Sequence, residues 1–203
     1  MSQLAHYLTR FQSGNYYHIY NRGVDRKLIY KTRSNHLYFM RLWQRYMEGY
    51  LDVISYSLNA NHFHFLVRVR HFEAAQLGDK TEHELVANRL KMLFRTYALA
   101  FNRNHGRTGS LFDGPFKRVL VEDSRNLSYL VQYIHVNPEK NKLVLDFRTW
   151  DWSSYKFILT PRKSIVDRNF VLEWFGGIKE FVLFHSKENQ EVDIRSFLSD
   201  DED

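Results

Sequence analysis

The chain has 203 residues and a mass of 24.5 kDa, enough for one large domain with its own core but short for two full domains. It contains no cysteine, which excludes disulfides, thiolate metal sites and cysteine nucleophiles. The sequence shows no signal peptide and no apolar stretch of about eighteen residues that would predict a membrane span. We therefore expect a cytoplasmic protein whose chemistry uses histidine, tyrosine, serine or carboxylate groups.

The net charge of +6 conceals an uneven distribution of charged residues. Seven of the 23 acidic residues follow residue 187, where Arg195 is the single base, so residues 1–187 carry a net charge of +12. The chain also contains 13 Tyr, 16 Phe and 4 Trp. A basic body rich in aromatic rings is typical of proteins that bind single-stranded nucleic acid, although a basic protein with an aromatic core would look similar.

Seven regular elements are predicted before residue 142. Strict alternation of apolar residues predicts strands, and apolar residues three and four apart predict helices. Asn59 to Asn61 suit a hairpin turn, Gly49 ends one helix and Pro138 is expected to end the last one. In chain order the elements are a strand at 16–20, a helix at 34–49, strands at 51–58 and 62–70, a helix at 82–102, a strand at 116–122 and a helix from Arg125.

This order begins as βαββαβ, so the predicted fold class is α+β, with a ferredoxin-like antiparallel sheet and helices packed on it. Residues 1–142 form the predicted catalytic domain. Residues 143–187 form a Trp-rich extension that we expect to pack on this domain, and residues 188–203 form an acidic tail predicted to be flexible. The rings of Trp150, Trp152 and Tyr155 in the extension are expected to pack, with base stacking as the alternative.

Two histidines on one predicted strand form the sharpest local feature. Side chains of a strand alternate between its faces, so His62 and His64 project together while Phe63 and Phe65 project into the core. Two neighbouring imidazoles can share one metal ion, but ordinary half-buried histidines are the alternative.

Tyr133 and Asn137 lie four residues apart on the last predicted helix and therefore share a face. Tyr129 lies one turn earlier on the same face and is an alternative nucleophile. His135 points to a different side and is expected to be structural or to face DNA. For Asn137 the alternative is a helix cap before Pro138, because residues that precede proline avoid helical geometry.

Several motifs in order resemble the REP-associated tyrosine transposases, a branch of the single-tyrosine HUH transposases. The matching segments cover roughly residues 14–160 and are YYHIYNRG, NHFHFLV, FNRNHGRTGSLFDGPFKRV, YIHVNP and WDWSSY. The chain departs from the pattern at Asn59-Ala60, where relatives often have Met-Pro, and in its acidic tail.

The resemblance implies a role for each matching residue. His62 and His64 would bind a catalytic Mg²⁺ or Mn²⁺ ion, with Asn137 as a third, amide-type ligand. Tyr133 would attack a phosphodiester of single-stranded DNA and form a 5′-phosphotyrosine. The expected substrate is palindromic hairpin DNA. The basic residues that lie in or beside the motifs are predicted DNA contacts, with solvated charge as the alternative: Arg22, Arg107, Lys117, Arg118 and Arg125.

The function predicted from these residues is DNA nicking and strand transfer by a nucleoid-associated bacterial enzyme. The partners would be single-stranded or hairpin DNA, and the resemblance favours a monomer over a homodimer. One alternative is a domesticated regulator that binds DNA without cutting it. Another is a metal phosphohydrolase that uses water as its nucleophile.

Overall fold

A computed structural model describes residues 8–186, apart from the side chain of Ser124. Four strands form one antiparallel sheet in the order β2-β3-β1-β4. A helix follows β1 and another follows β3, so the predicted ferredoxin-like topology is confirmed. The strands are β1 (Tyr16–Arg22), β2 (Leu51–Leu58), β3 (His62–Val69) and β4 (Lys117–Val121).

One face of the sheet packs against α1 (Arg33–Met47) and α3 (Glu82–Asn104), with the short helix α2 (Ala74–Leu77) leading into α3. Phe63 and Phe65 of β3 are fully buried on this face, and the Phe65 ring lies parallel to that of Trp43 at 3.6 Å. Burying aromatic side chains of this size supplies a large share of the stability of a domain. The apolar half of the alternating β3 pattern therefore anchors the strand and leaves its histidines on the other face.

The other face of the sheet packs against α4 (Ser124–Lys140). Asp123 caps the start of this helix by accepting a hydrogen bond from the Arg125 amide. The prediction that Pro138 ends the helix is wrong, because the helix continues to Lys140 and its cap is Asn141. Asn141 donates from its backbone and its side chain to the Asn137 carbonyl oxygen, which satisfies that group beyond the proline. Asn137 is therefore a helical residue and not the cap.

The extension contains the helices α5 (Tyr155–Leu159), α6 (Arg168–Phe175) and α7 (Ile178–Ser186). Its backbone bridges to β2 at Ser153 and Val166. Trp152 stacks on His36 of α1 with ring centroids 4.3 Å apart, and Tyr155 is buried, so these rings pack as expected. The predicted acidic tail, like the first seven residues of the predicted catalytic domain, lies outside the described residues. Among the helices of residues 8–186, none is both long and apolar enough to span a membrane.

Candidate active site

Strand pairing gathers a row of polar side chains on the sheet face that packs against α4. In the register of β1 and β3, Tyr20 lies opposite His64 and Arg22 lies opposite His62. Side chains two apart on a strand share a face, so His18 joins this row. The ring centroids of His62 and His64 are 5.1 Å apart, and those of His18 and His64 are also 5.1 Å apart. The predicted histidine pair is thus part of a group of three imidazoles.

The His64 imidazole is buried and hydrogen-bonded to a second imidazole. Its Nδ1 atom lies 2.9 Å from Nε2 of His18, and both side chains are almost fully buried. Burial lowers the pKa of His64 well below its ordinary value, and the neighbouring His18 and His62 lower it further. His64 is therefore neutral at neutral pH, which is the protonation state that binds a metal ion.

His62 is held by the amide groups of the hairpin turn. Nδ1 of His62 lies 2.7 Å from Oδ1 of Asn61, whose amide nitrogen donates to the carbonyl oxygen of Arg26. That donation identifies Oδ1 of Asn61 as the acceptor, so Nδ1 of His62 carries the proton. In the neutral ring the lone pair is then on Nε2, which faces α4.

Helix α4 places Asn137 and Tyr133 against the two histidines. Oδ1 of Asn137 lies 2.8 Å from Nε2 of His62, and the Tyr133 ring meets the His64 ring edge to face with centroids 5.7 Å apart. Tyr133 and Asn137 are both 3% exposed. The four residues predicted as nucleophile and metal ligands therefore converge in space from two segments of the chain, β3 and α4.

Asn59 completes this arrangement and fixes the orientation of the Asn137 amide. Ser57 donates to Oδ1 of Asn59, so the Asn59 amide nitrogen is the atom that donates to Oδ1 of Asn137. Oδ1 of Asn137 and Nε2 of His62 are consequently two acceptors 2.8 Å apart, and the Asn59 amide nitrogen lies within hydrogen-bond distance of both, 2.8 Å from Nε2 of His62. The two N–H groups of the Asn59 amide satisfy both lone pairs, so a metal ion held by His62 and Asn137 would replace this amide at the two atoms.

The described residues contain no group of three His, Cys, Asp or Glu side chains arranged to hold a metal ion. The possible site among them therefore depends on the amide oxygen of Asn137 as one of its ligands. Amide oxygens are hard ligands that suit Mg²⁺ and Mn²⁺, whereas imidazole nitrogen suits Mn²⁺ better than Mg²⁺.

Two of the five predicted DNA contacts lie beside this group. Arg22 follows the β1 row and forms an ion pair with Asp113, with Nε 3.0 Å from the carboxylate. Lys117 on β4 lies opposite Tyr20, and its ammonium group is 5.7 Å from the centre of that ring. Both cations therefore border the histidines, Arg22 in an ion pair with Asp113 and Lys117 buried beside Tyr20.

The other three predicted contacts lie elsewhere. Arg118 projects to the opposite sheet face, where its buried guanidinium lies over Phe11 and Phe116 and donates to the carbonyl oxygen of Thr9. Arg107 bonds to Asn102 and to the carbonyl oxygen of Ser110, within the loop after α3.

Arg125 is exposed at the first turn of α4 and forms an ion pair with Asp123. Asn137 lies twelve residues further along α4, which is about 18 Å at 1.5 Å per residue. Arg125 is therefore far from the histidines, and only a long DNA segment could contact both.

The two competing residues of α4 face the extension. The Tyr129 ring packs against Phe184 of α7 with centroids 5.4 Å apart. His135 is fully buried and bonds to His185 and to Oγ of Ser154. These contacts agree with a structural role for His135 and direct Tyr129 away from the histidine group.

Three neighbours of the site were not predicted. His18 could have been found from the YYHIY alternation, but only once β1 was known to pair with β3. For Asn59 the sequence predicts only a position in the hairpin turn. Lys140, seven residues after Tyr133, places its ammonium 5.3 Å from the centre of the Tyr133 ring, and its i, i+7 spacing was a usable signal.

Comparison with known proteins supports the fold and leaves the activity open. No protein-family model and no curated protein matches the sequence. A solved structure of a REP-associated tyrosine transposase bound to a REP hairpin is similar, with a TM-score of 0.60 and 14% identity over 81% of this chain and 90% of that one. A bacterial tRNA(His) guanylyltransferase-like protein in complex with ATP has a TM-score of 0.45 and 7% identity over 68% of this chain and 62% of that one. The tRNA(His) guanylyltransferase of Saccharomyces cerevisiae has a TM-score of 0.41 and 11% identity over 95% and 88% of the two chains.

Proposed function

We propose that this chain is a metal-dependent, single-tyrosine endonuclease and strand transferase that acts on single-stranded DNA beside a palindromic hairpin. The observation that carries the proposal is the convergence of Tyr133, His62, His64 and Asn137 on one side of the sheet. A tyrosine, two imidazoles and an amide oxygen form a set suited to nucleophilic attack on a phosphodiester. The fold of a transposase bound to a hairpin supports DNA as the partner.

The proposed reaction forms one bond to phosphorus and breaks another. Oη of Tyr133 forms a bond to phosphorus, and the bond between phosphorus and the 3′-oxygen breaks. The phenol loses its proton and the leaving 3′-oxygen gains one, which gives a 5′-phosphotyrosine and a free 3′-hydroxyl. Because the phosphotyrosine retains the energy of the original ester, strand rejoining requires no nucleotide cofactor.

His62, His64 and Asn137 are the residues proposed to hold a divalent ion, Mg²⁺ or Mn²⁺. Adjacent ligands of an octahedral ion with bonds of about 2.1 Å lie about 3 Å apart, which is close to the 2.8 Å between Nε2 of His62 and Oδ1 of Asn137. When bound, such an ion neutralises phosphate charge and activates the ester for displacement. An ordinary tyrosine has a pKa of about 10, so it needs this assistance at neutral pH.

The protein side chains around this set have supporting roles in the proposal. His18 and Asn61 hold the Nδ1 atoms of His64 and His62, so the ion would be bound by the Nε2 atoms, with the one of His62 exchanging its Asn59 partner for the ion. Lys140 places its ammonium group 5.3 Å from the centre of the Tyr133 ring, where a cation can offset the charge of the scissile phosphate. Since Tyr133 is 3% exposed, the site must open for DNA to reach the hydroxyl.

The test is covalent capture of labelled DNA. The full chain is incubated with Mn²⁺ or Mg²⁺ and a pool of single-stranded oligonucleotides that carry a hairpin and randomised flanks, and products are separated under denaturing conditions. We expect a covalent protein–DNA adduct with the unaltered chain and with Tyr129→Phe, and none with Tyr133→Phe. Binding without nicking by the unaltered chain would favour a non-cleaving regulator. Nicking without an adduct would favour a water nucleophile.

A further inference from the structure

The layer formed by α1 and α3 is strongly basic and lies on the sheet face opposite the candidate active site. Residues 31–47 and 85–104 contain no acidic residue. They contain eight cationic side chains, seven of them exposed and Arg89 half-buried. The eight cations are Lys31, Arg33, Arg41, Arg45, Arg89, Lys91, Arg95 and Arg103.

These charges are not neutralised within the part of the chain that the structure describes. None of the eight cations forms an ion pair with a described carboxylate. Several lie instead over aromatic rings, including Arg89 over Tyr50 at 3.7 Å and Arg41 over Tyr38 at 5.9 Å. An aromatic face orients a guanidinium group but leaves its charge in place.

The arrangement also opposes helix stability. Arg41 and Arg45 are four residues apart on α1, and Lys91 and Arg95 are four residues apart on α3. Like charges at this spacing destabilise a helix. The cation–π contacts of Arg41 and Arg45 offset part of this cost, and a bound polyanion would offset the rest.

A groove between the two helices adds polar groups to the charged surface. Its volume is about 790 Å³, and its lining includes Asn35, Tyr38, Arg41, Thr96, Arg103 and Asn104. Amide, hydroxyl and guanidinium groups are the donors that proteins use on phosphate oxygens. Exposed cations lie on both helices, and the double-stranded stem of the proposed hairpin substrate is a polyanion that can span both.

We propose that the α1–α3 layer binds the sugar-phosphate backbone of double-stranded DNA, as a second contact region across the sheet from Tyr133. The proposal rests on the proposed function for the identity of the nucleic acid, since the duplex would be the stem of the hairpin that is cut. Binding at this layer requires neither the metal ion nor the nucleophile.

The experiment measures binding of a fluorescent hairpin and of a blunt duplex to the full chain by anisotropy, in EDTA and at several salt concentrations. The variants are Arg41→Gln with Arg45→Gln, and Lys91→Gln with Arg95→Gln. Each removes two charges, so we expect at least a tenfold loss of affinity and a salt slope reduced by about 1.8, from about 0.9 per phosphate contact. The control is Arg162→Gln with Lys163→Gln, which removes two exposed cations of the extension and should change neither quantity.

Fold integrity is checked by thermal melting. The melting temperature should not fall, because each variant removes a pair of like charges. Affinities and slopes equal to those of the control would overturn the proposal, as would binding to single strands alone. A chain that binds duplex through this layer but forms no adduct would contradict the proposed nuclease and leave the surface intact.

Discussion

His18 offers a direct way to test how the histidine group is held. Replacement of His18 by Phe keeps a flat ring between Tyr20 and His64, whose ring centroids lie 4.7 and 5.1 Å from that of His18. It removes Nε2, the partner of the His64 Nδ1 atom at 2.9 Å. The packing is therefore retained while one hydrogen bond is lost.

The expected effect follows from burial of both groups. His64 is 4% exposed, so water cannot readily replace the missing acceptor, and the unpaired N–H costs about 1–3 kcal/mol of stability. Loss of a residue that orients a metal-ligating histidine typically weakens metal affinity 10- to 100-fold, or about 1.4–2.7 kcal/mol. We expect a loss in this range for His18→Phe, with partial recovery in His18→Gln, which restores an acceptor.

Affinity is measured by Mn²⁺ titration with detection of the free ion by electron paramagnetic resonance, a readout that does not need catalysis. The matched control is His36→Phe, which alters another buried histidine stacked between aromatic rings, on the far side of the sheet. It should lower stability without changing Mn²⁺ affinity. Equal Mn²⁺ affinity of His18→Phe and the unaltered chain would refute the reasoning.

Three further predictions concern the helix α4 and the buried histidines. Asn137→Ala should abolish measurable Mn²⁺ binding and adduct formation, whereas Asn137→Asp, which keeps an oxygen ligand, should retain Mn²⁺ binding in the same titration. Lys140→Met should slow single-turnover adduct formation about tenfold by removing a cation beside the phenol ring, and Lys142→Met, a nearby exposed cation, should not. Burial lowers the pKa of His185 to about 4. Between about pH 6.5 and 4 this side chain is therefore protonated in the unfolded chain but neutral in the folded chain, so the melting temperature should fall as the pH decreases through this range. His185→Phe should weaken this pH dependence, to which the lowered pKa values of His36, His64 and His135 also contribute, and an unchanged profile would contradict the assignment.

The regular elements could be predicted because their patterns are local. The strand at 51–58 is predicted to the residue from its β-branched and aromatic residues, and the strand that pairs with it is predicted to within one residue from its strict alternation of apolar and polar side chains. The helix predicted at 82–102 continues for two further residues in the structure, to Asn104. A capping box formed by Thr81 and Glu84 marks its start, which explains why this boundary was clear.

The partners of the histidines could not be predicted because they depend on tertiary pairing. The predicted ferredoxin-like topology places β1 beside β3 but does not set the register of the pair, and only the observed register brings His18 against His64. Asn59 likewise belongs to a turn, where an asparagine normally bonds to its own backbone. Its contact with Asn137 arises because α4 crosses the end of the hairpin.

The continuation of α4 through Pro138 determines where the Asn137 amide lies. A proline lacks the N–H that would bond to Ile134, but the helix ends two residues later, so only one backbone hydrogen bond of the last turn is lost. The residue before a proline usually adopts extended geometry, which would have turned Asn137 away from the Tyr133 face. The hydrogen bonds that Asn59 and Asn141 donate to Asn137 favour the helical geometry instead. The position of the proposed third ligand thus depends on contacts from two neighbouring segments, which no local rule about proline could have included.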